Sequence, residues 1–497
     1  MRCIYGFIVG VMASRPGGVR QRRSGVHDSK NYVVAMSPDV VWRCAVRHRC
    51  TVGCRLDVVR LLPRLNSPRY AWGMRILHTS DWHIGRRLKG VDLTEYQRKA
   101  LDWLVETVRR ERVDVVCVSG DVYDSPMPSA ASVDILDDVL TRLTADADDR
   151  PAVDVVVTPG NHDSARKLGF GAHMMRDNLH LRCAIDDIAT PVIVRRAGRD
   201  DPRPESLAIY ALPYLDPDVA RPTLQAMLPD GPAIPRSHEG VMAAAMTLVE
   251  ADLRRRRAED PGLRAVLMAH AFVSGAAPSD SERNITVGGV DGVPAALFAG
   301  GGIDYLALGH LHRAQQVRIP APAAPGADAS AHPTSARYAG SLLAYSFSEA
   351  CMPPKTGNGK SVVVVDTDDM AVRQLPVGSD QPALVQLRDT PERLLGDLAE
   401  RYCDDWVSIT VVCDAYPHDM YRRLDAAYRH PLEKKFEIRR RRDTGGRAMA
   451  DLRRSHGEFD VVREFVRYTL DREPTEAEGD VLRAAVEQAR KEQEPCD

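Results

Sequence analysis

The sequence predicts an α/β layered fold, on two observations. Short runs rich in Val, Ile and Leu recur along the middle of the chain, and each gives way to a polar loop. Segments with apolar residues at helical spacing lie between several of these runs, and strand–helix alternation of this kind builds a sheet covered by helices. The 497 residues are enough for two or three domains and at least one large core.

In chain order, Met74–Thr79 is a short apolar strand and Ser80–Gly90 the loop after it. Thr94–Arg112 follows as a helix, with Tyr96, Leu101, Leu104, Val105 and Val108 near helical spacing. Val113–Ser119 is a β-branched run closed by Gly120, and so reads as a buried strand. Ser132–Leu143 reads as a helix and Val153–Thr158 as a strand ending at Pro159-Gly160. Leu263–Ala269, Ile303–Leu308 and Val362–Asp366 are further strands, and Pro320–Pro333, rich in Ala and Pro, reads as a surface insertion. These elements define a main domain over residues 74–375. After about Asp380 the texture changes: a strand at Trp406–Cys413, a helix at Pro417–Tyr428 and a strand at Phe436–Arg440 suggest a small α+β domain over 380–445. Residues 446–497 form a C-terminal segment, in which Thr475–Glu494 is a charged helix with Val481, Leu482, Ala485 and Val486 on one side.

A composition of 44% hydrophobic and 27% charged residues fits a globular chain. No run of about 18 uncharged apolar residues occurs, which argues against a spanning helix. The run Ile4–Met12 lacks an A-x-A-like cleavage site and is followed by Arg-rich sequence, against a secretory signal. None of the ten cysteines forms a C-x-x-C pair, so they read as reduced thiols of a cytoplasmic protein, Cys50 and Cys54 included. The net charge of −2 hides an asymmetry: residues 1–73 hold 13 of the 67 Lys and Arg but 3 of the 69 Asp and Glu, leaving 54 basic and 66 acidic groups beyond. So acidic a body does not bind nucleic acid by bulk charge, and local patches, bound cations or a partner must provide any grip. Residues 1–73, rich in Arg and without a sustained helical or strand period, read as a disordered extension or as sequence upstream of a start at Met74. A basic DNA-binding arm is the alternative.

Five polar clusters stand just past five apolar strands: Asp81-Trp82-His83, Gly120-Asp121, Gly160-Asn161-His162-Asp163, His270, and Gly309-His310-Leu311-His312. A rigid sheet aims loops at its strand ends toward one point. Asp, Asn and His without thiolates suit hard-to-borderline divalent metals and argue against a structural zinc. Singly, each cluster is no more than a surface pair or a turn. Together, in this order, they form a pattern.

That pattern, D-x-H, G-D-x-x-D, G-N-H-D, H, G-H-x-H, resembles the calcineurin-like metallophosphoesterases. Longer strings resemble the D subunits of bacterial SbcCD-type DNA nucleases: Met74–Gly85, Gly120–Asp124, Thr158–Ser164, Val287–Gly292, Tyr305–His312 and Tyr338–Glu349. The resemblance implies a four-layer α-β-β-α metallophosphoesterase sandwich with a small capping domain and a helical tail. It implies two divalent ions, Mn first, with Mg or Fe as alternatives. Asp81, His83, Asp121 and His312 would hold one, and Asp121, Asn161, His270 and His310 the other, the two oxygens of Asp121 serving two cations. His162 would steady the transition state or protonate the leaving oxygen. Asp124 stands where archaeal and eukaryotic relatives usually have His. It could accept a hydrogen bond from His162 and fix its tautomer, or simply form the turn before Ser125-Pro126.

The activity implied is a 3′-to-5′ exonuclease on duplex DNA ends and an endonuclease on single strands and hairpins, serving replication, recombination and repair. A small-molecule phosphodiesterase or protein phosphatase on the same fold is the alternative. The implied partners are DNA, a second copy of the chain, and a coiled-coil ATPase that the tail helix could dock. For DNA grip, Lys434, Lys435 and Arg439–Arg442 form one basic run, and Arg254–Arg257, flanked by acids, a weaker one. Trp82 could pack beneath the site or touch substrate.

Overall fold

The computed structural model describes residues 30–37, 40–46, 73–146, 152–196, 205–282, 292–321, 334–351, 356–439, 458–470 and 472–493. The chain divides into two compact units, Met1–Arg69 and Tyr70–Asp497. In the first, Lys30–Ser37 and Val40–Val46 pair as antiparallel strands. This corrects the expectation of no strand structure before Met74 for that stretch. Val33, Val34, Val40 and Val41 are β-branched, and backbone pairing needs no two-sided polarity pattern.

The second unit begins with β1 (Arg75–Thr79), α1 (Thr94–Arg110), β2 (Val115–Ser119), α2 (Ala130–Thr144), β3 (Asp154–Thr158), β4 (Leu179–Leu181), β5 (Val192–Arg196) and β6 (Glu205–Ala211). It continues with α3 (Pro217–Met227), α4 (His238–Glu259), β7 (Arg264–His270), β8 (Tyr305–Gly309), β9 (Gln315–Val317), β10 (Ser335–Tyr338), β11 (Ser361–Asp366) and β12 (Ala371–Pro376). Two six-stranded sheets result, ordered β12-β11-β1-β2-β3-β4 and β9-β10-β8-β7-β6-β5. Strands β1 to β4 run parallel in the first, and β6, β7, β8 and β10 in the second.

Three apolar layers hold the sandwich together. Ile76, Val115, Cys117, Val156, Ile209, Val266, Met268 and Val363 fill the space between the sheets. Leu101, Leu104, Val105 and Val108 of α1 and Ile135, Leu136 and Val139 of α2 cover the outer face of the first sheet. Val241, Met242, Ala245, Val249 and Leu253 of α4 do the same for the second. Strands buried on both faces explain the unbroken apolar runs of the sequence. The architecture is the α-β-β-α sandwich the sequence predicts.

The small domain follows as β13 (Leu384–Asp389), α5 (Pro391–Leu395), α6 (Asp397–Tyr402), β14 (Trp406–Cys413), α7 (Met420–Ala427) and β15 (His430–Ile438). Its three strands run parallel, joined by helical crossovers. Leu384 and Trp406 are buried in the core beneath α1 and α2, so this domain shares a core with the sandwich. The last strand starts at His430, six residues earlier than expected; Lys434 and Lys435 pair within the sheet although they interrupt its apolar pattern. Two helices, α8 (Glu458–Leu470) and α9 (Glu476–Gln493), complete the described tail. Among the described residues no helix is long and apolar enough to cross a membrane. Cys50 and Cys54, Val287–Val290 and Asp291, most of Pro320–Pro333 and Arg440–Arg442 lie outside the described residues.

Candidate metal centre

The parallel strands of both sheets end at one edge, where open α/β sheets place their ligands. The loop after β1 carries Asp81 and His83, that after β2 carries Asp121, and that after β3 carries Asn161, His162 and Asp163. His270 is the last residue of β7, and His310 and His312 follow β8. The first two loops are laced by backbone: Asp81 N donates to Gly120 O at 3.0 Å, and His83 N to Asp121 O at 2.9 Å. The Asp163 carboxylate ties the third loop to the second, accepting from Gly160 N (2.9 Å), Val122 N (3.0 Å) and Tyr123 N (2.8 Å).

The approach is too close for side chains at two glycines. A Cβ on Gly309 would lie 1.8 Å from Ser119 O, and one on Gly160 would lie 2.1 Å from Asp121 Oδ1. Asp81 (φ 53°), His83 (44°), Asp121 (49°) and His310 (106°) adopt left-handed backbone. Such conformations cost about 1–3 kcal/mol each and gather at functional sites.

All seven predicted ligands converge. His83 Nε2 lies 3.0 Å from His312 Nε2 and 3.4 Å from Asp121 Oδ2. His270 Nε2 lies 3.4 Å from the same Asp121 Oδ2 and 2.9 Å from Asn161 Oδ1, and His310 Nδ1 is 3.2 Å from that Asn161 oxygen. Asp81 shares a cluster with His83 and His312 and a second with Asp121 and His270, while its carboxylate accepts from His310 N at 3.1 Å. Asp121 thus stands between two half-sites. Its ring contacts run through Oδ2, while Oδ1 accepts from His162 N at 2.8 Å.

The donor set fits cations. His270 Nδ1 lies 2.9 Å from Ser119 O, which can only accept, so Nδ1 carries the proton. In the neutral ring Nε2 is then a lone pair facing an amide oxygen and a carboxylate, an arrangement that positive charge must complete. A second proton on the ring can supply that charge, and a bound cation would replace it. Burial would hold the His270 pKa down, yet the charge and hydrogen bond of Asp121 and the charge of Asp81 push it up to about 9. Burial would raise the Asp121 carboxyl, but the charge of His270, its hydrogen bond and the charge of His83 hold it well below the usual carboxylate range. Burial raises Asp81, and it lowers His83 and His310 to about 3, keeping both rings neutral for metal binding. Burial and the Asp121 charge push Asp163 up to about 7.

One expectation needs revision and one alternative is decided. The Asp124 carboxylate lies nearer His83 than His162: Oδ1 is 3.3 Å from His83 Nδ1 and 3.9 Å from His162 Nδ1. The Asp124 backbone carbonyl, 2.9 Å from His162 Nδ1, holds His162 instead. A single residue therefore positions both rings, one through its side chain and one through its backbone. Trp82 packs beneath the site, buried, with Nε1 donating to Thr79 Oγ1 at 3.0 Å.

Five residues of the basic runs proposed for DNA are engaged in internal pairs. Arg255 and Arg256 pair with Asp252, and Arg257 Nη2 meets Asp304 at 2.8 Å. Lys434 pairs with Asp425 at 2.5 Å and Lys435 with Glu433 at 3.0 Å.

The structure adds residues that motif reading passed over. Arg86 donates to Asp124 Oδ1 (3.2 Å) and Ser281 O (2.7 Å), and its guanidinium lies 5.0 Å above the Tyr345 ring. Ser281, Glu282, Glu349 and Lys360 surround His312. Glu349 and Asp163 stand within the recognised strings, and that is the signal that could have found them. Nothing in the local sequence marks Lys360.

Comparison with known proteins gives the same assignment at the level of the domain. Residues 74–314 match the family model described as calcineurin-like phosphoesterase. Among solved structures, the chain is similar to TT1561 of Thermus thermophilus, at 10% identity over 62% of this chain and 100% of that one, with a TM-score of 0.33. It is similar to a dimetal phosphatase from Danio rerio at 14% identity, covering 62% of this chain and 96% of that one, with a TM-score of 0.35. A third is GAP50, the anchor in the inner membrane complex of Plasmodium, at 9% identity over 61% and 89% of the two chains, with a TM-score of 0.33. On the family match and the donor set at its strand ends, the chain carries a calcineurin-like metallophosphoesterase domain over residues 74–314.

Proposed function

We propose that the protein is the nuclease subunit of a bacterial DNA double-strand-processing complex, cutting DNA phosphodiesters with two divalent cations, most simply Mn. It would act 3′-to-5′ on duplex ends and as an endonuclease on single strands and hairpins. The observation that carries the hydrolytic part is the convergence of Asp81, His83, Asp121, Asn161, His270, His310 and His312 around one shared carboxylate. The DNA part is supported by the strings Tyr305–His312 and Tyr338–Glu349 and by the small domain. A phosphodiesterase for small molecules would not need that domain.

When bound, paired cations supply Lewis-acid charge to the phosphoryl oxygens and make a water acidic enough to act as nucleophile. The chain's own residues do the rest. His83, His312 and Asp81 would hold one cation, and Asn161, His270 and His310 the other, with Asp121 between. His162 is held by Nδ1, whose proton goes to the Asp124 carbonyl, so Nε2 is the atom left to pass a proton to the leaving oxygen. The His162 side chain is 12% exposed, so the ring is not sealed from the surface.

The reading includes a second copy of the chain and a coiled-coil ATPase as partners. For the ATPase, exposed Phe465, Leu470 and Val481 on α8 and α9 offer apolar surface for helix packing. The test is an assay of the purified full-length chain with Mn on hairpin and duplex DNA, beside bis-p-nitrophenyl phosphate and a phosphopeptide. Chelator-sensitive DNA cleavage is expected. Efficient action on the phosphopeptide or on cyclic nucleotides, with none on any DNA, would transfer the protein to the phosphatase or small-molecule class.

A further inference from the structure

We infer that Ser281, Glu349 and Lys360 are positioning residues of the metal centre, forming a buried hydrogen-bonded chain that dictates which ring nitrogen of His312 carries its proton. The inference rests on His312 being a metal ligand.

The charged end of the chain sets the direction of the links to His312. Lys360 Nζ, a donor only, reaches His312 O at 2.8 Å, Ser341 Oγ at 2.9 Å and the Oε2 of Glu349, which uses all three of its protons. The Glu349 carboxylate, paired with that ammonium and buried, can only accept. Its Oε1 lies 2.6 Å from Ser281 Oγ and also accepts from Tyr345 N at 3.1 Å. The Ser281 proton therefore points at Glu349, and its oxygen is left to accept. Its two remaining neighbours are Ser279 Oγ at 2.8 Å, which can give its own proton to Glu282, and His312 Nδ1 at 2.7 Å, which donates to Ser281 Oγ and is therefore N–H. The remaining nitrogen, Nε2, is a lone pair aimed at His83 Nε2, 3.0 Å away, on the cation side.

Ser281, Glu349, Lys360 and His312 are all buried. Leaving a charge unpaired there costs far more than at a surface, so the pair persists for what it orients or for packing alone. Its geometry favours orientation. The backbone of His312 is clasped as well, with Glu282 Oε1 accepting from its N at 2.8 Å and Lys360 binding its carbonyl. Arg86, which touches the Asp124 carboxylate beside His83, also donates to Ser281 O, so the rings of His83 and His312 are braced by one arginine. Outer hydrogen bonds to ligand histidines are commonly worth a factor of about 10–100 in metal affinity.

The experiment is calorimetric titration of the metal-free full-length protein with Mn, combined with ¹⁵N NMR of ring-labelled histidine. Wild type should bind two ions, with His312 in the single tautomer protonated at Nδ1. Ser281→Ala leaves Glu349 with Lys360 and Tyr345 N. It should weaken one ion about 10–100-fold, leave the other near wild type, and mix the His312 tautomers. The double change Glu349→Gln with Lys360→Met keeps an acceptor oxygen for Ser281 without a buried charge, and should lose affinity for the same ion by a smaller factor. Unchanged affinities and ring signal in Ser281→Ala would overturn the inference, as would equal weakening of both ions. Wild type failing to bind two ions would instead sink the two-cation reading itself.

Discussion

The two halves of the candidate metal centre are built differently. His270 sits at the end of a central strand and gives its Nδ1 proton to a backbone carbonyl, that of Ser119. His83 and His312 stand on loops and face side chains instead: Asp124 Oδ1 at 3.3 Å from the one, Ser281 Oγ at 2.7 Å from the other. Ring orientation set by a carbonyl is beyond the reach of most substitutions. Orientation set by side chains can be altered one residue at a time. The first half is therefore expected to be robust to mutation outside its ligands, and the second tunable.

The largest effect should come where the halves meet. Asp121→Asn removes the carboxylate charge that faces both His83 and His270, so metal analysis should show both ions lost together and phosphodiester hydrolysis at background. A variant that kept one ion tightly would mean the halves are independent. Next is His162→Gln, which should lower turnover about 10²-fold or more while metal content stays near normal. An emptied site in that variant would make His162 a ligand. Gly309→Ala forces a Cβ onto the Ser119 carbonyl that holds His270. It is among the few changes outside the ligands expected to damage the robust half, with a stability loss of at least about 1–3 kcal/mol, measured by denaturant unfolding.

Asp124→Asn should sharpen the contrast. It touches His83 by its side chain but His162 only through backbone, so metal affinity on the His83 side should fall a few-fold while the His270 side is unaffected. Loss confined to turnover, with both affinities intact, would return Asp124 to an action on His162. The smallest effect is expected at Asp380→Ala, which breaks an exposed pair with Lys99 at 3.1 Å and should change stability by less than about 1 kcal/mol and neither affinity.

Much of the centre was legible because its ligands lie directly after buried strands. Such strands write themselves as apolar runs, Val115–Ser119 for one, and the chemistry follows within a few residues. What was not legible depends on contacts between distant parts of the chain. Ser281, Glu349 and Lys360 meet His312 only because the sheets bring these segments together, and a buried lysine in an ordinary stretch carries no local mark. The Asp124 case is subtler. Its proximity to the site was readable, but a three-residue spacing cannot say which of two histidines its carboxylate faces. Strand β15 was missed at its start because Glu433, Lys434 and Lys435 break the apolar pattern, and cross-strand pairing with β14 overrides that.

Asp121 is proposed to join two cation sites of different construction. Anomalous diffraction from crystals of the protein grown with Mn tests this most directly. Two anomalous peaks are expected, one on each side of the Asp121 carboxylate, the first among Asp81, His83 and His312 and the second among Asn161, His270 and His310. A single peak, or an ion held by His83, Asp124 and His162 instead, would contradict it.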